Sequence, residues 1–191
     1  MEIINKTLSS TFESLKNNSA NFNTVVEELF SYQFDEYNQV FNIDSIDIPE
    51  KTYKRLPVFN NENCVAILML WGVGNKTAVH DHKNYNGMIK VLKGNLTEIY
   101  YNEKDDFIEL GGEGVAPEGA IFEEEFGGIH SIVNNETTYS VSLHIYQTPQ
   151  LNLNGVRIFD VENKKWAVLN DKAASCSWNL PEEAFENIYS V

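Results

Sequence analysis

Residues Cys64–Tyr101 read CVAILMLWGVGNKTAVHDHKNYNGMIKVLKGNLTEIYY. An uninterrupted apolar run, Cys64–Trp71, ends at the glycine-rich Gly72-Val73-Gly74. A run of that length bounded by glycine predicts a buried strand, and it is far too short to span a bilayer as a helix. Met88–Leu92 and Leu96–Tyr101 follow as two more strands. Lys93-Gly94-Asn95 between them predicts a hairpin turn, because glycine tolerates positive φ.

The same pattern extends outward. Gly111, Gly112 and Gly114 predict a turn region, and Pro117-Glu118-Gly119 a tight turn. Thr138–Tyr146 alternates strictly, and Val156–Phe159 and Trp166–Leu169 add further strands. Upstream, the first fifty residues predict helices. Leu8, Phe12 and Leu15 fall at helical spacing, as do Val25, Val26, Leu29 and Phe30. Ser10 with Glu13, and Thr24 with Glu27, fit the capping box. Pro181–Tyr189 predicts a closing helix, capped by Asn179 or a neighbour. Many short strands punctuated by Gly and Pro point to a mainly β sandwich or barrel with helices packed outside, not to a parallel α/β sheet. We expect a single domain over 1–191: a helical layer over 1–50, a barrel over 51–169 and a C-terminal segment over 170–191.

Composition narrows the function. Of 191 residues, 28 are acidic and 14 basic, a formal net charge of −14. Nucleic-acid backbones and anionic membranes both need a concentrated cationic surface, so neither is an expected partner. Met1–Ser10 has no apolar core behind a basic segment, which argues against a secretory signal. Cys64 and Cys176 are too few for a disulfide scaffold or a thiolate zinc site, and Cys64 is expected to be a small buried hydrophobe. A cytoplasmic protein is expected, and a monomer. Arg55 and Arg157 are the only arginines.

The histidines carry more. His80 and His82 stand two apart, and on an extended strand such residues face the same way, so both imidazoles can reach one point. A lone His-x-His equally fits two polar residues on a strand edge. In Thr138–Tyr146, Tyr139, Val141, Leu143 and Ile145 share one face, while Ser140, Ser142, His144 and Tyr146 share the other. Alternation alone cannot separate a polar row inside a barrel from the solvent face of an edge strand.

Spacing decides between these. Gly74-x5-His80-x-His82-x4-Gly87-x6-Gly94, followed by Gly111-x5-Pro117-x-Gly119-x10-His130-x3-Asn134, resembles the two signature motifs of the cupin superfamily, antiparallel jelly-roll-like β-barrels with a metal inside. Most cupins place a glutamate ligand after the His-x-His. Here that place falls at Asn86 or Gly87, neither of them anionic. His80-Asp81-His82, Lys93-Gly94-Asn95-Leu96, His130 with Asn134, and Ser142-Leu143-His144-Ile145-Tyr146 together resemble the type I cysteine dioxygenase family. The likeness runs from about Tyr53 to Pro149, and it includes Tyr53-Lys54-Arg55, similar to that family's Tyr-x-Arg.

The resemblance implies one Fe(II) per chain held by His80, His82 and His130. It implies Arg55 on the substrate carboxylate with Tyr53 beside it, and Tyr146 held by His144, which in turn contacts Ser142. The position cross-linked to the tyrosine in animal members falls at Gly87, so no thioether is expected. The implied reaction oxidises L-cysteine with O2 to cysteine sulfinic acid. A 3-mercaptopropionate dioxygenase is the alternative, with Arg157 as a possible second clamp. A non-catalytic cupin that binds metal or a small ligand is the other, although simple binding has no need of the Ser142-His144-Tyr146 row.

Overall fold

The structure, a computed structural model, describes residues 6–83, 86–124 and 126–191. The first five residues of the Met1–Ser10 stretch lie outside them. Three helices come first: α1 (Leu8–Asn17), α2 (Phe22–Phe30) and α3 (Phe34–Phe41). The two helix caps sit one turn upstream of the expected positions, and only the first is a capping box. Thr7 caps α1, its Oγ1 accepting from Ser10 N at 3.2 Å while Ser10 Oγ accepts from Thr7 N at 3.0 Å. Asn21 caps α2, accepting from Thr24 N at 3.0 Å. The shift follows from packing. Leu8 is buried and Phe22 packs on the same core, so both helices must begin before the hydroxyls that the pattern offered as caps.

Twelve strands follow: β1 (Tyr53–Asn60), β2 (Val65–Trp71), β3 (Val79–Asp81), β4 (Gly87–Lys93), β5 (Leu96–Lys104), β6 (Phe107–Ala116), β7 (Ile121–Glu124), β8 (Ile129–Val133), β9 (Ser140–Tyr146), β10 (Arg157–Asp160), β11 (Lys165–Leu169) and β12 (Phe185–Ser190). They form two antiparallel sheets, the mainly β architecture expected, in the orders β1-β2-β9-β4-β7 and β12-β11-β10-β3-β8-β5-β6. Among the described residues, no helix is long and apolar enough to cross a membrane.

The apolar run of β2 has a simple cause. Ala66, Leu68 and Leu70 pack with Val141, Leu143 and Ile145 of β9 against the helices, whereas Val65, Ile67, Met69 and Trp71 face the barrel interior. Both faces of this sheet are covered, so no position on β2 is left for a polar residue. Lys90, on the helix-facing side of β4, is buried as well. Its ammonium donates to the carbonyls of Phe30 and Tyr32 at 2.7 and 2.8 Å, at the end of α2 where helical carbonyls lack internal partners.

Three expectations are corrected. Lys93-Gly94-Asn95 is a turn, with Gly94 at φ 73°, but not a hairpin. β4 pairs with β9 and β7, while β5 pairs with β6 and β8, so the turn carries the chain from one sheet to the other. Gly111, Gly112 and Gly114 lie inside β6 rather than in a turn. Gly111 and Gly112 let Tyr100 of β5 lie close, since a Cβ on Gly111 would stand 2.8 Å from Tyr100 Cδ2. The reversal occurs instead at Asp105, with φ 49°. Finally, Pro181–Tyr189 is not a helix. A single 3-10 turn, Glu182–Ala184, leads into β12, which pairs with β11 and stacks Tyr189 on Trp166 at 4.1 Å between ring centroids. Pairing at the sheet edge overrides a short, ambiguous helical pattern. Asn179 is no cap, for Pro181 holds that place without a side-chain bond.

Candidate metal centre and substrate cavity

One cavity opens between the two sheets, and most of the singled-out residues line it: Tyr53, Arg55, His80, His82, His130, His144 and Tyr146. Register explains how three histidines converge. His80 on β3 stands directly opposite His130 on β8, and His82 follows immediately after β3. Their ligand atoms lie within 4.8 Å of one another, and His82 Nε2 stands 2.9 Å from His130 Nε2.

The outer partners orient two of the rings. His80 Nδ1 bonds the Ala78 carbonyl at 3.0 Å, and His130 Nδ1 bonds Glu98 Oε1 at 2.6 Å. Each outer nitrogen then carries the proton, and each Nε2 keeps its lone pair for the centre, as second-shell bonding of metal-binding histidines requires. Burial pulls the His80 and His82 pKa values below the ordinary range and keeps both imidazoles neutral, the metal-binding form. Three convergent imidazoles are a donor set that can hold a divalent metal ion.

Beside them stands a residue the sequence did not reveal. Glu124, at the end of β7, places Oε1 3.6 Å from His82 Nε2 and 3.7 Å from both His130 Nε2 and His144 Nδ1. Burial pushes its pKa up, and the neighbouring His82, His144 and His130 push it down further, to below the ordinary carboxylate range. Within Glu123-Glu124-Glu125 it looks like one member of a solvated acidic run. The one available signal was the missing anion at 86 or 87, because β7 pairs with β4 and sets Glu124 opposite Gly87.

On the central strand β9, the polar row is not on a solvent edge: Ser140, Ser142 and His144 are buried and Tyr146 is half-buried. Trp71, also unassigned from sequence, heads a chain of hydrogen bonds: Trp71 Nε1 to Ser142 Oγ at 2.8 Å, Ser142 Oγ to His144 Nε2 at 2.8 Å, and His144 Nδ1 to Tyr146 Oη at 3.0 Å. An indole can only donate, so Ser142 accepts from Trp71. With His144 protonated at Nδ1, Ser142 donates to His144 Nε2 and Nδ1–H donates to Tyr146.

Tyr53 and Arg55 reach the cavity from β1, with the guanidinium carbon 5.7 Å from the Tyr53 ring centroid and Nη1 donating to the Ala174 carbonyl at 3.2 Å. Cys176 lines the same wall, and burial pushes its thiol up to about 12 despite Arg55 nearby. Arg157 does not line this cavity. Its Nε bonds Asp81 Oδ2 at 2.6 Å and its Nη2 bonds Glu103 Oε1 at 2.6 Å, so it braces the residue between His80 and His82. A second cleft shares Tyr53, Arg55, Thr77 and Cys176 with the first and adds Lys51 and Lys76, a cationic mouth on an acidic protein. Cys64 lies elsewhere, fully buried under the helices, and both cysteines are free.

The chain is similar to known proteins. The chain is 28% identical over 166 residues to cysteine dioxygenase type 1 of Danio rerio, covering 78% of this chain and 75% of the relative. It is 31% identical over 88 residues to the human protein of the same name, covering 44% of each. Among solved structures, a cupin-superfamily sugar phosphate isomerase from Silicibacter pomeroyi aligns with a TM-score of 0.49 at 14% identity, covering 78% of this chain and 90% of that one. The family described as cysteine dioxygenase type I matches residues 4–162, and the chain belongs to that family.

Proposed function

We propose that this protein is an iron(II)-dependent thiol dioxygenase, one iron per chain, that converts L-cysteine and O2 to cysteine sulfinic acid as a cytoplasmic monomer. The observation that carries this is a shared cavity. The His80, His82 and His130 cluster, the Tyr146 hydroxyl and the Arg55 guanidinium all line one space between the sheets. Both atoms of dioxygen end on the cysteine sulfur, so the thiol is the reductant and no further cosubstrate is needed. Bound iron would supply the electron transfer that lets a thiol react with dioxygen.

The chain's own groups do the rest. Arg55 takes the substrate carboxylate, for which a planar guanidinium is geometrically matched, and Tyr53 packs beside it. That fixes the sulfur toward the histidine cluster. Tyr146 donates its O–H to charge developing on sulfur or oxygen, and the Trp71-Ser142-His144 chain keeps that hydroxyl aimed. Leu151, Leu153 and Val156 wall the cavity with apolar surface and limit water. Tyr146 works without a thioether, since Gly87 lies against its ring. Arg157, bonded to Asp81 and Glu103, does not act as a second clamp, which supports cysteine over 3-mercaptopropionate.

Ferrous-loaded protein given L-cysteine should consume one O2 per sulfinate formed, followed with an oxygen electrode and by product quantitation. Faster turnover of 3-mercaptopropionate would move the substrate assignment to that acid. Absence of uptake with any small thiol would leave a non-catalytic cupin. His130→Ala should lose stoichiometric iron, and retained iron would contradict the ligand assignment.

A further inference from the structure

Two clefts of opposite sign border the cavity between the sheets. One reaches His82 and His130 past Glu98 and Glu123, and among the described residues no lysine or arginine lines it. The other shares Tyr53, Arg55, Thr77 and Cys176 with the cavity and adds Lys51 and Lys76. Among the described residues no aspartate or glutamate lines this second cleft, whose volume is about 450 Å3. On a chain with 28 acidic and 14 basic side chains, three cations without an anion reverse the sign of the surface locally.

The barrel rim holds both lysines by their backbones. Lys51, in a left-handed turn with φ 59° just before β1, donates its N–H to the Val73 carbonyl at 2.8 Å. Lys76 forms a β-bridge with Val133 at the end of β8. Lys6, Lys93, Lys104 and Lys165 each pair with a carboxylate. Lys51 and Lys76 are exposed, and no carboxylate among the described residues pairs with either. Charges of one sign around a concave surface focus their field on whatever enters it.

The reaction proposed for the cavity changes the charge of its ligand. A thiol and O2 give a sulfinate and one proton. L-cysteine, neutral overall as a zwitterion, therefore becomes a product with one additional negative charge. We propose that the cleft lined by Lys51 and Lys76 is an anion site that receives this sulfinate as it leaves the cavity. Arg55 borders both spaces, so an anionic group can pass from one to the other without losing a cation. The anion site follows from the charge of the cleft, whereas its assignment to the product rests on the dioxygenase reading.

The test needs no turnover. Iron-loaded protein held without oxygen can bind these ligands but not oxidise them, so isothermal titration calorimetry reads their affinities. Cysteine sulfinate should bind Lys51→Gln with Lys76→Gln about threefold to tenfold more weakly than wild type, the size expected of two exposed charges. L-cysteine, with no net charge to attract, should bind both proteins within about twofold. Lys51→Arg with Lys76→Arg keeps the charges and should restore the sulfinate affinity. Raising the ionic strength from about 0.01 M to about 0.15 M should narrow the gap, because the Debye length falls from about 30 Å to about 8 Å. Absent sulfinate binding, or an affinity unchanged in the glutamine variant, overturns the proposal. So does an equal loss for both ligands, which would make the lysines contacts of the amino-acid groups that the two share. Oxygen uptake enters neither readout. An inactive protein with the sulfinate-selective loss refutes the dioxygenase reading and keeps the anion site; an active protein without that loss does the opposite.

Discussion

Gly87 and Glu124 face each other across the β4–β7 pair, and the missing side chain of one makes room for the carboxylate of the other. Tyr146 shares the same gap, because a Cβ on Gly87 would overlap its ring edge at 2.7 Å. The backbone at Gly87 does not have positive φ, so the constraint on this position is purely steric.

Gly87→Ala therefore tests crowding rather than strain. Forcing a methyl into this packing should cost about 1–3 kcal/mol of stability and displace the Tyr146 ring. The expected result is a fall in kcat/KM of about tenfold or more, since small misplacements of catalytic groups are costly. If the loss runs through Tyr146, it should shrink in a Tyr146→Phe background. An unchanged kcat/KM in Gly87→Ala would show that the ring does not depend on this gap.

The two arginines should behave differently. Arg55→Ala should lower kcat/KM for L-cysteine by about 2–4 kcal/mol, mostly through substrate binding. Arg157→Ala should instead leave the buried Asp81 carboxylate without its ion-pair partner, costing about 3 kcal/mol of stability. It should also leave the ratio of kcat/KM for cysteine to that for 3-mercaptopropionate unchanged. Steady-state kinetics on both thiols, with thermal melts alongside, separate these roles. A changed ratio in Arg157→Ala would bring that residue back as a substrate contact.

The hydrogen-bond chain from Trp71 to Tyr146 gives a graded expectation. Tyr146→Phe removes the terminal donor and should reduce kcat by about 10–1000-fold with little change in iron content. Ser142→Ala and Trp71→Phe act only by aiming that hydroxyl, so each should cost less. Either should add little once Tyr146 is phenylalanine. Additive losses in the double variants would mean that Ser142 and Trp71 serve packing alone.

Alkaline pH should weaken the fold through the cysteines. Burial pushes the Cys176 thiol up to about 12 and the Cys64 thiol up to about 11, from an ordinary value of 9.0. The folded chain keeps these protons at a pH where the unfolded chain has released them, so stability falls as pH rises above 9. Below that pH the two thiols contribute no slope. Thermal midpoints should decline from about pH 9 toward 11, and Cys64→Ala with Cys176→Ala should flatten the early part of that decline, before the tyrosines titrate. An identical slope in the double variant would exclude the thiols as its source. The same burial predicts that iodoacetamide labels neither cysteine at neutral pH in the native protein.

Much of the site was readable because its patterns are local. Two-residue alternation placed Ser142, His144 and Tyr146 on one face of a strand before any fold was known. The His-x-His spacing did the same for His80 and His82. A run such as Cys64–Trp71 declared its burial by composition alone. These inferences need only the strand period and the free energy of removing apolar groups from water.

Pairing between distant segments was beyond that reach. Nothing near Gly94 told that β4 and β5 belong to different sheets, or near Phe185 that the last residues would join β11 as an edge strand. Nothing in Glu123-Glu124-Glu125 marked the middle residue as the one turned inward, opposite Gly87. Arg157 was open to two roles until the fold set Asp81 and Glu103 against it. Sequence alone determined the strand-rich class, the polar row on one face of a strand and, through motif resemblance, the histidines that could share a metal. Tertiary structure alone decided which acid stands beside them, because register across a sheet is set by how the whole barrel packs and not by any one strand.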